Sequence, residues 1–232
     1  MNTLADKIIS FYTEIDFRGI LPAGVSIMNP FRNNPDVINT VTLFYRKYYS
    51  DYNKRHMIIG INPGRLGAGA TGIPFTDTIR LKQVLGLPAP GIETYETSSV
   101  FMYGMIDRYG GPEAFYGDHY ISSVSPLGFT VTGRNGRQVN YNYYDSRELT
   151  GHIMDFILDS LRAQLEFGIF RDTCFCLGSG KNYSFLTELN NTYGFFEKIV
   201  PLEHPRYIMQ YRLKKKQFYT DMYVEKLKAP LQ

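Results

Sequence analysis

The chain has 232 residues, of which 44% are hydrophobic and 20% charged, and its net charge is +3. These values suit a globular protein with one well-buried domain spanning 1–232, and no apolar run reaches the length of a membrane span. The mild basic balance permits a polyanionic partner without requiring one, and the opening "MNTLADKIISFYTEIDF" lacks the basic and apolar regions of a leader, so the expected location is the cytoplasm, beside the nucleoid in a bacterial cell.

Taken in order, the chain predicts a first helix over Thr3 to Phe17, with Leu4, Ile8, Ile9, Phe11, Tyr12 and Ile15 as its apolar stripe. A Pro/Gly/Asn-rich connection follows, and then a helix in "DVINTVTLFYRKYYSDY" with Asp36 as N-cap. His56 to Ile61 predicts a strand that leads into a Gly-rich loop; "TDTIRLKQVLGL" and Ser98 to Tyr109 predict helices. "HYISSVSPLGF" contains a strand that stops before Pro126, and Asn135-Gly136 marks a hairpin turn. "SRELTGHIMDFILDSLRAQLEFG" has the clearest helical periodicity. Then come the strand "DTCFCLG", the helix "KNYSFLTELNNTYG", the strand "FFEKIVPLEHP" and a basic C-terminal helix around "YRLKKKQFYTDMYVEKLK". Strands alternating with helices indicate an α/β fold, a three-layer αβα sandwich around a small central, mostly parallel sheet. Cys174 and Cys176, two apart on a strand, point the same way and are expected as reduced core thiols.

The chemistry concentrates in "MIIGINPGRLGAGATGIPF", residues 57–75. Gly67 to Gly72 spells G-x-G-x-x-G, but five residues separate it from the strand and Pro74 disfavours a helix opening after it, which argues against a dinucleotide loop. Gly64 to Thr71 is G-x-x-x-x-G-x-T with Ala70 where a P-loop needs its lysine.

The whole stretch instead resembles motif 1 of the uracil-DNA glycosylase superfamily, most closely the single-strand-selective monofunctional (SMUG) type, with Gly60, Asn62, Pro63, Gly64, Gly67, Thr71, Gly72, Pro74 and Phe75 on pattern. "ISSVSPLGF" resembles the strand that faces the base, "CFCLGSGKNYSFL" the next strand-to-helix unit, "LEHPRYIMQ" motif 2, and "IMNPFRNN" the lead-in. The similarity thus runs in order over about residues 25 to 228.

The resemblance implies a monofunctional enzyme that hydrolyses the base–sugar bond of uracil in DNA and leaves an abasic site, without metal or cofactor. DNA, single-stranded or duplex with the base flipped out, is the implied partner, and the protein is expected as a monomer. No lysine falls on a matched motif position, so a Schiff-base lyase step is not implied. By the same resemblance Asn62 orients the water and His204 donates to the departing base. Phe75 stacks on that base, and Gly64 is the small position beside its C5 edge. The chemistry suits them: negative charge moves onto the base, so a positioned water and a preorganised donor both lower the barrier. Arg206, Tyr207 and Met209, just after motif 2, are each candidates to enter the DNA stack.

The chain departs from the family at Ser123, where SMUG enzymes carry an asparagine that reads the uracil edge. A hydroxyl cannot present donor and acceptor in one rigid amide. Relaxed discrimination is the expectation, with other deaminated bases such as xanthine or hypoxanthine accepted. The rival expectations are a catalytically weak nucleic-acid-binding protein on the same fold and, further off, a nucleotide-binding Rossmann protein.

Overall fold

The computed structural model describes residues 2–231 and contains two sheets. In chain order the strands are β1 (Val25–Met28), β2 (Arg55–Gly60), β3 (His119–Ser123), β4 (Gly128–Thr132), β5 (Gln138–Tyr141), β6 (Ile169–Leu177) and β7 (Lys198–Leu202). A four-stranded, wholly parallel sheet runs β3-β2-β6-β7 with helices around it, and β1-β4-β5 forms a separate antiparallel sheet. The α/β expectation is met, with every antiparallel pairing confined to the second sheet.

Burial explains the order of the central sheet. All six residues of β2 are buried, as a strand covered on both faces requires, and the apolar run Met57-Ile58-Ile59 supplies that surface. Its register pairs Gly60 with Ser123 of β3, and on the far side of β6 Leu177 pairs with Leu202. These pairings bring the C-terminal ends of the strands to one rim, where open α/β sheets hold their ligands. Cys174 and Cys176 lie on β6, buried and unbridged, as expected.

The aromatic residues serve largely as packing. Tyr45, Tyr49, Tyr120, Tyr143 and Tyr223 are fully buried, and Phe44 meets Tyr116 edge to face at 5.0 Å.

Four local expectations need correction. The first helix runs Leu4–Glu14, capped by the reciprocal Thr3–Asp6 pair, and Ile15 takes an extended conformation, so the apolar stripe outlasts the helix. The second runs Pro35–Tyr49 and is capped by Asn34, whose Oδ1 accepts from the Val37 N–H; Asp36 sits inside the first turn, because Pro35 occupies the first helical position. The long helical pattern after Ser146 breaks at the buried Ile153 into Arg147–His152 and Met154–Leu165. The stretch after His204-Pro205 is a helix, Pro205–Tyr211, followed by a 3-10 turn at Leu213–Lys215 and the helix Lys216–Lys228.

The elements not foreseen include one helix and one strand that shape the fold. The helix Pro112–Asp118 follows Gly110 and Gly111, both at positive φ. β1 pairs Met28 with Gly128, so its partner lies a hundred residues downstream. The antiparallel sheet packs on the Gly-rich loop: a Cβ at Gly128 would fall 2.5 Å from the Pro63 carbonyl oxygen, so only glycine admits that approach.

Candidate active site

The Gly-rich loop is held by its own backbone. The N–H groups of Gly67 and Gly69 donate to the Gly64 carbonyl, and those of Ala70 and Thr71 to that of Gly67. The result is a four-residue helix, Ala68–Thr71, ended by Gly72 in the left-handed conformation. These four donors are taken up internally and are not free to cradle a phosphate, which argues against the dinucleotide reading on geometry as well as on spacing.

Asn62 leaves the end of β2 and is clamped by the antiparallel sheet. Its Oδ1 accepts from the Tyr143 N–H at 3.1 Å, and its Nδ2 donates to the carbonyl oxygens of Tyr141 (3.3 Å) and Pro63 (3.4 Å). A donor on one side and acceptors on the other fix which way the amide faces. One lone pair of Oδ1 remains for a further donor.

Phe75 has a φ of +53°, a left-handed backbone that a bulky side chain adopts only under constraint. Thr71 supplies the constraint, donating from its hydroxyl to the Thr76 carbonyl at 2.7 Å and accepting from the Ile73 N–H at 3.2 Å. The Phe75 ring lies across Gly60, where an added Cβ would meet it at 3.0 Å and the Ser123 hydroxyl at 3.4 Å. Gly60 therefore lets the ring and the serine converge at the sheet rim.

His204 follows β7 and caps the helix Pro205–Tyr211. Its Nδ1 accepts from the Arg206 N–H at 3.1 Å, so the Nε2 carries the proton. Burial, and then the Arg206 charge, lower its pKa to about 4, which keeps the ring neutral at physiological pH. The ring centroid is 5.8 Å from that of Phe75.

These residues share one cavity of about 600 Å³, lined among others by Asn62, Gly64, Phe75, Ser123 and His204. Five positions expected from the sequence thus meet in space. Of the DNA candidates, Arg206 and Tyr207 line the cavity mouth, with the Arg212 guanidinium 5.4 Å from the centre of the Tyr207 ring. Met209 is half-buried against the core and is not among the residues that line the cavity. Among the described residues no group of three or more His, Cys, Asp or Glu side chains is placed to hold a metal ion. Among the same residues no helix is long and apolar enough to cross a membrane.

Sequence reasoning missed the opposite wall. Glu96, Asn140, Asn142, Tyr144 and Lys181 also line the cavity. None of these carried a spacing signal; they arrive through the antiparallel sheet and the starts of two helices.

Comparison with known proteins agrees with the geometry. Residues 46–228 match the uracil DNA glycosylase superfamily. The crystal structure of wild-type Pedobacter heparinus SMUG2 superposes with a TM-score of 0.96 at 52% identity, over 99% of this chain and 98% of that one. No curated protein sequence matches the chain. The chain belongs to the uracil DNA glycosylase superfamily and is a SMUG-like, monofunctional DNA glycosylase.

Proposed function

We propose that this protein releases uracil from DNA by hydrolysis of the N-glycosidic bond, with Asn62 and His204 as its catalytic pair, and that it also accepts deaminated purines such as xanthine and hypoxanthine. The observation that carries the pairing is their complementary preparation in one cavity. Asn62 keeps an acceptor lone pair on a clamped amide, and His204 keeps an Nε2–H on a neutral ring.

The roles follow from charge. As the bond breaks, positive charge builds on the sugar and negative charge on the base. The Oδ1 of Asn62 accepts a hydrogen from water and aims its oxygen at the sugar carbon. Being neutral, the amide positions the water more than it activates it. The Nε2–H of His204 meets the base oxygen where charge collects, and a ring that stays neutral in the free enzyme needs no change of protonation to do so. Phe75 offers a face for stacking, worth roughly 1–3 kcal/mol. Gly64 leaves the adjoining wall open. Arg206 and Tyr207 at the mouth serve the DNA.

Ser123 supports the broader substrate range. Its side chain is short, its neighbour Ser122 donates to Gln164 within the core, and the next backbone N–H groups, of Val124 and Ser125, are taken by the carbonyls of Gly60 and Ile61. The Ser123 hydroxyl is thus the side-chain group that this strand offers to a base edge in the cavity.

The test is base release from oligonucleotides carrying uracil, xanthine or hypoxanthine, single-stranded and duplex, by the wild-type, Asn62→Ala and His204→Ala proteins. Release lost in both variants supports the assignment. DNA binding without release from any substrate overturns it in favour of a recognition module.

A further inference from the structure

The cavity holds a carboxyl that the reading above leaves idle. Glu96 stands immediately before the helix Thr97–Tyr109, and its backbone N–H donates to the Asp77 carboxylate at 2.8 Å. That bond fixes where its side chain starts. The Oε2 accepts from the Ser99 hydroxyl at 3.1 Å, and the carboxyl lies directly on the bare backbone of the Gly-rich loop. A Cβ at Gly67 would fall 2.2 Å from Oε2, and one at Gly64 3.2 Å from Oε1. With Oε2 occupied as an acceptor, Oε1 is the oxygen turned toward Gly64.

The cavity wall therefore has two groups of side chains. Phe75 and Ser123 meet over Gly60, whereas Glu96 and Asn140 flank Gly64. A pyrimidine held by the first group leaves the second unfilled. A purine carries a second ring, and that ring bears an acceptor nitrogen, N7.

We propose that Glu96, as a neutral acid, is a specificity-determining residue that donates a hydrogen bond from Oε1 to the N7 edge of a deaminated purine seated in this cavity. The proposal rests on the glycosylase reading and deepens it. Charge state decides the interaction: a carboxylate repels the N7 lone pair, and a carboxylic acid satisfies it. Burial raises the Glu96 pKa to about 7, and Asp77 adds to the rise, while the Ser99 bond and Arg206 oppose it. Of the facing groups, Arg80 holds Asp77 at 2.9 Å, Arg206 is exposed on the helix Pro205–Tyr211, and His204 is neutral.

The experiment is single-turnover release of uracil and of hypoxanthine from otherwise identical oligonucleotides, across neutral pH, by wild-type, Glu96→Gln, Glu96→Ala and Asn62→Ala proteins. Hypoxanthine stays neutral over this range, and the hypoxanthine-to-uracil ratio cancels pH effects common to both bases. In the wild type that ratio is expected to fall as pH rises through about 7, when the acid loses its proton. Glu96→Gln keeps a donor that does not titrate, so its ratio is expected to stay high and flat. Glu96→Ala is expected to lose roughly tenfold on hypoxanthine with uracil nearly unchanged, the scale of one buried hydrogen bond. Equal losses on both bases in Glu96→Ala, a Glu96→Gln ratio that still falls with pH, or a wild type that releases no hypoxanthine would each overturn the proposal and leave Glu96 a packing residue of the loop. Uracil release that survives Asn62→Ala would instead overturn the catalytic reading, so the two failures are distinguishable.

Discussion

The parallel sheet ends in a histidine-bearing cluster at each pole, and the two make opposite use of the same ring. At the N-terminal pole His119 is fully buried, and desolvation with the neighbouring His56 lowers its pKa to about 3. Its Nε2 lies 3.2 Å from the Tyr109 hydroxyl, which itself donates to Asp118, so the imidazole N–H is taken up inside the protein. At the C-terminal pole His204 is kept neutral by the same cause, yet its Nε2–H faces a cavity. A depressed pKa therefore does not mark the site; a neutral donor without an internal acceptor does.

The largest effect should come from breaking the open pole. Asn62→Ala and His204→Ala are each expected to slow uracil release by roughly 10²–10³-fold, the scale of one preorganised polar group, with only a modest fall in melting temperature from the lost Asn62 bonds and the lost His204 cap. His119→Ala should do the reverse, lowering the melting temperature while the rate per folded molecule is kept. Single-turnover kinetics beside thermal melts reads both, and a catalytic loss in His119→Ala without unfolding would erase the contrast.

Arg55 tests how much the sealed pole contributes to stability. Its side chain is 1% exposed and donates to the carbonyl oxygens of Tyr116 (2.8 Å) and Asn53 (2.9 Å) and to the Asp51 carboxylate (2.7 Å). Arg55→Met leaves the Tyr116 carbonyl without that donor and removes the Asp51 partner, a loss of about 2–4 kcal/mol in urea unfolding. Unchanged unfolding would mean that the neighbouring backbone reorganises to satisfy these groups.

Acid separates the poles less sharply, because both histidines act in one direction. Each has a folded pKa below its unfolded value, so the unfolded chain binds more protons between about 6.5 and the folded value. Stability is thus complete above pH 6.5 and falls as pH drops toward about 3 for His119 and about 4 for His204. Each histidine should contribute a slope of about 1 kcal/mol per pH unit within that window. His119→Asn should flatten the dependence of the melting temperature, and an unaltered slope would show that His119 titrates normally.

The same contrast explains what was legible in the sequence. β2, its Gly-rich loop and the His204-Pro205 step could be read because their signals are local: an apolar run, a glycine spacing, a dipeptide after a strand. Phe75 could be placed by motif spacing, though not its left-handed backbone, which the Thr71 bonds hold. β1 had no such signal, since four residues in a Pro/Gly-rich stretch become a strand only beside β4. Glu96 was hidden for the same reason. It reaches Gly64 across thirty-two positions of sequence, through an Asp77 bond that no periodicity reports. Asn34 outcompeted Asp36 as a cap because Pro35 already suited the first helical position. Met209 lay on the right segment, and only the helical turn of Pro205–Tyr211 showed that it is half-buried against the core.

The finest distinction lies within the open pole, at Ser123. It sits opposite Gly60 in the β2–β3 register, 8% exposed, with its hydroxyl beside the Phe75 ring. If the short side chain is what relaxes base choice, lengthening it to an amide should tighten it, because a fixed donor–acceptor pair rewards one base edge and leaves buried polar groups unpaired against another. Ser123→Asn is therefore expected to raise the uracil-to-xanthine ratio by roughly tenfold, mainly by slowing xanthine release, with Ser123→Ala leaving the ratio near its wild-type value. Competition between the two substrates in one reaction measures the ratio directly. A ratio that ignores both substitutions would move base selection off β3 and onto the Gly64 wall, where Glu96 and Asn140 stand.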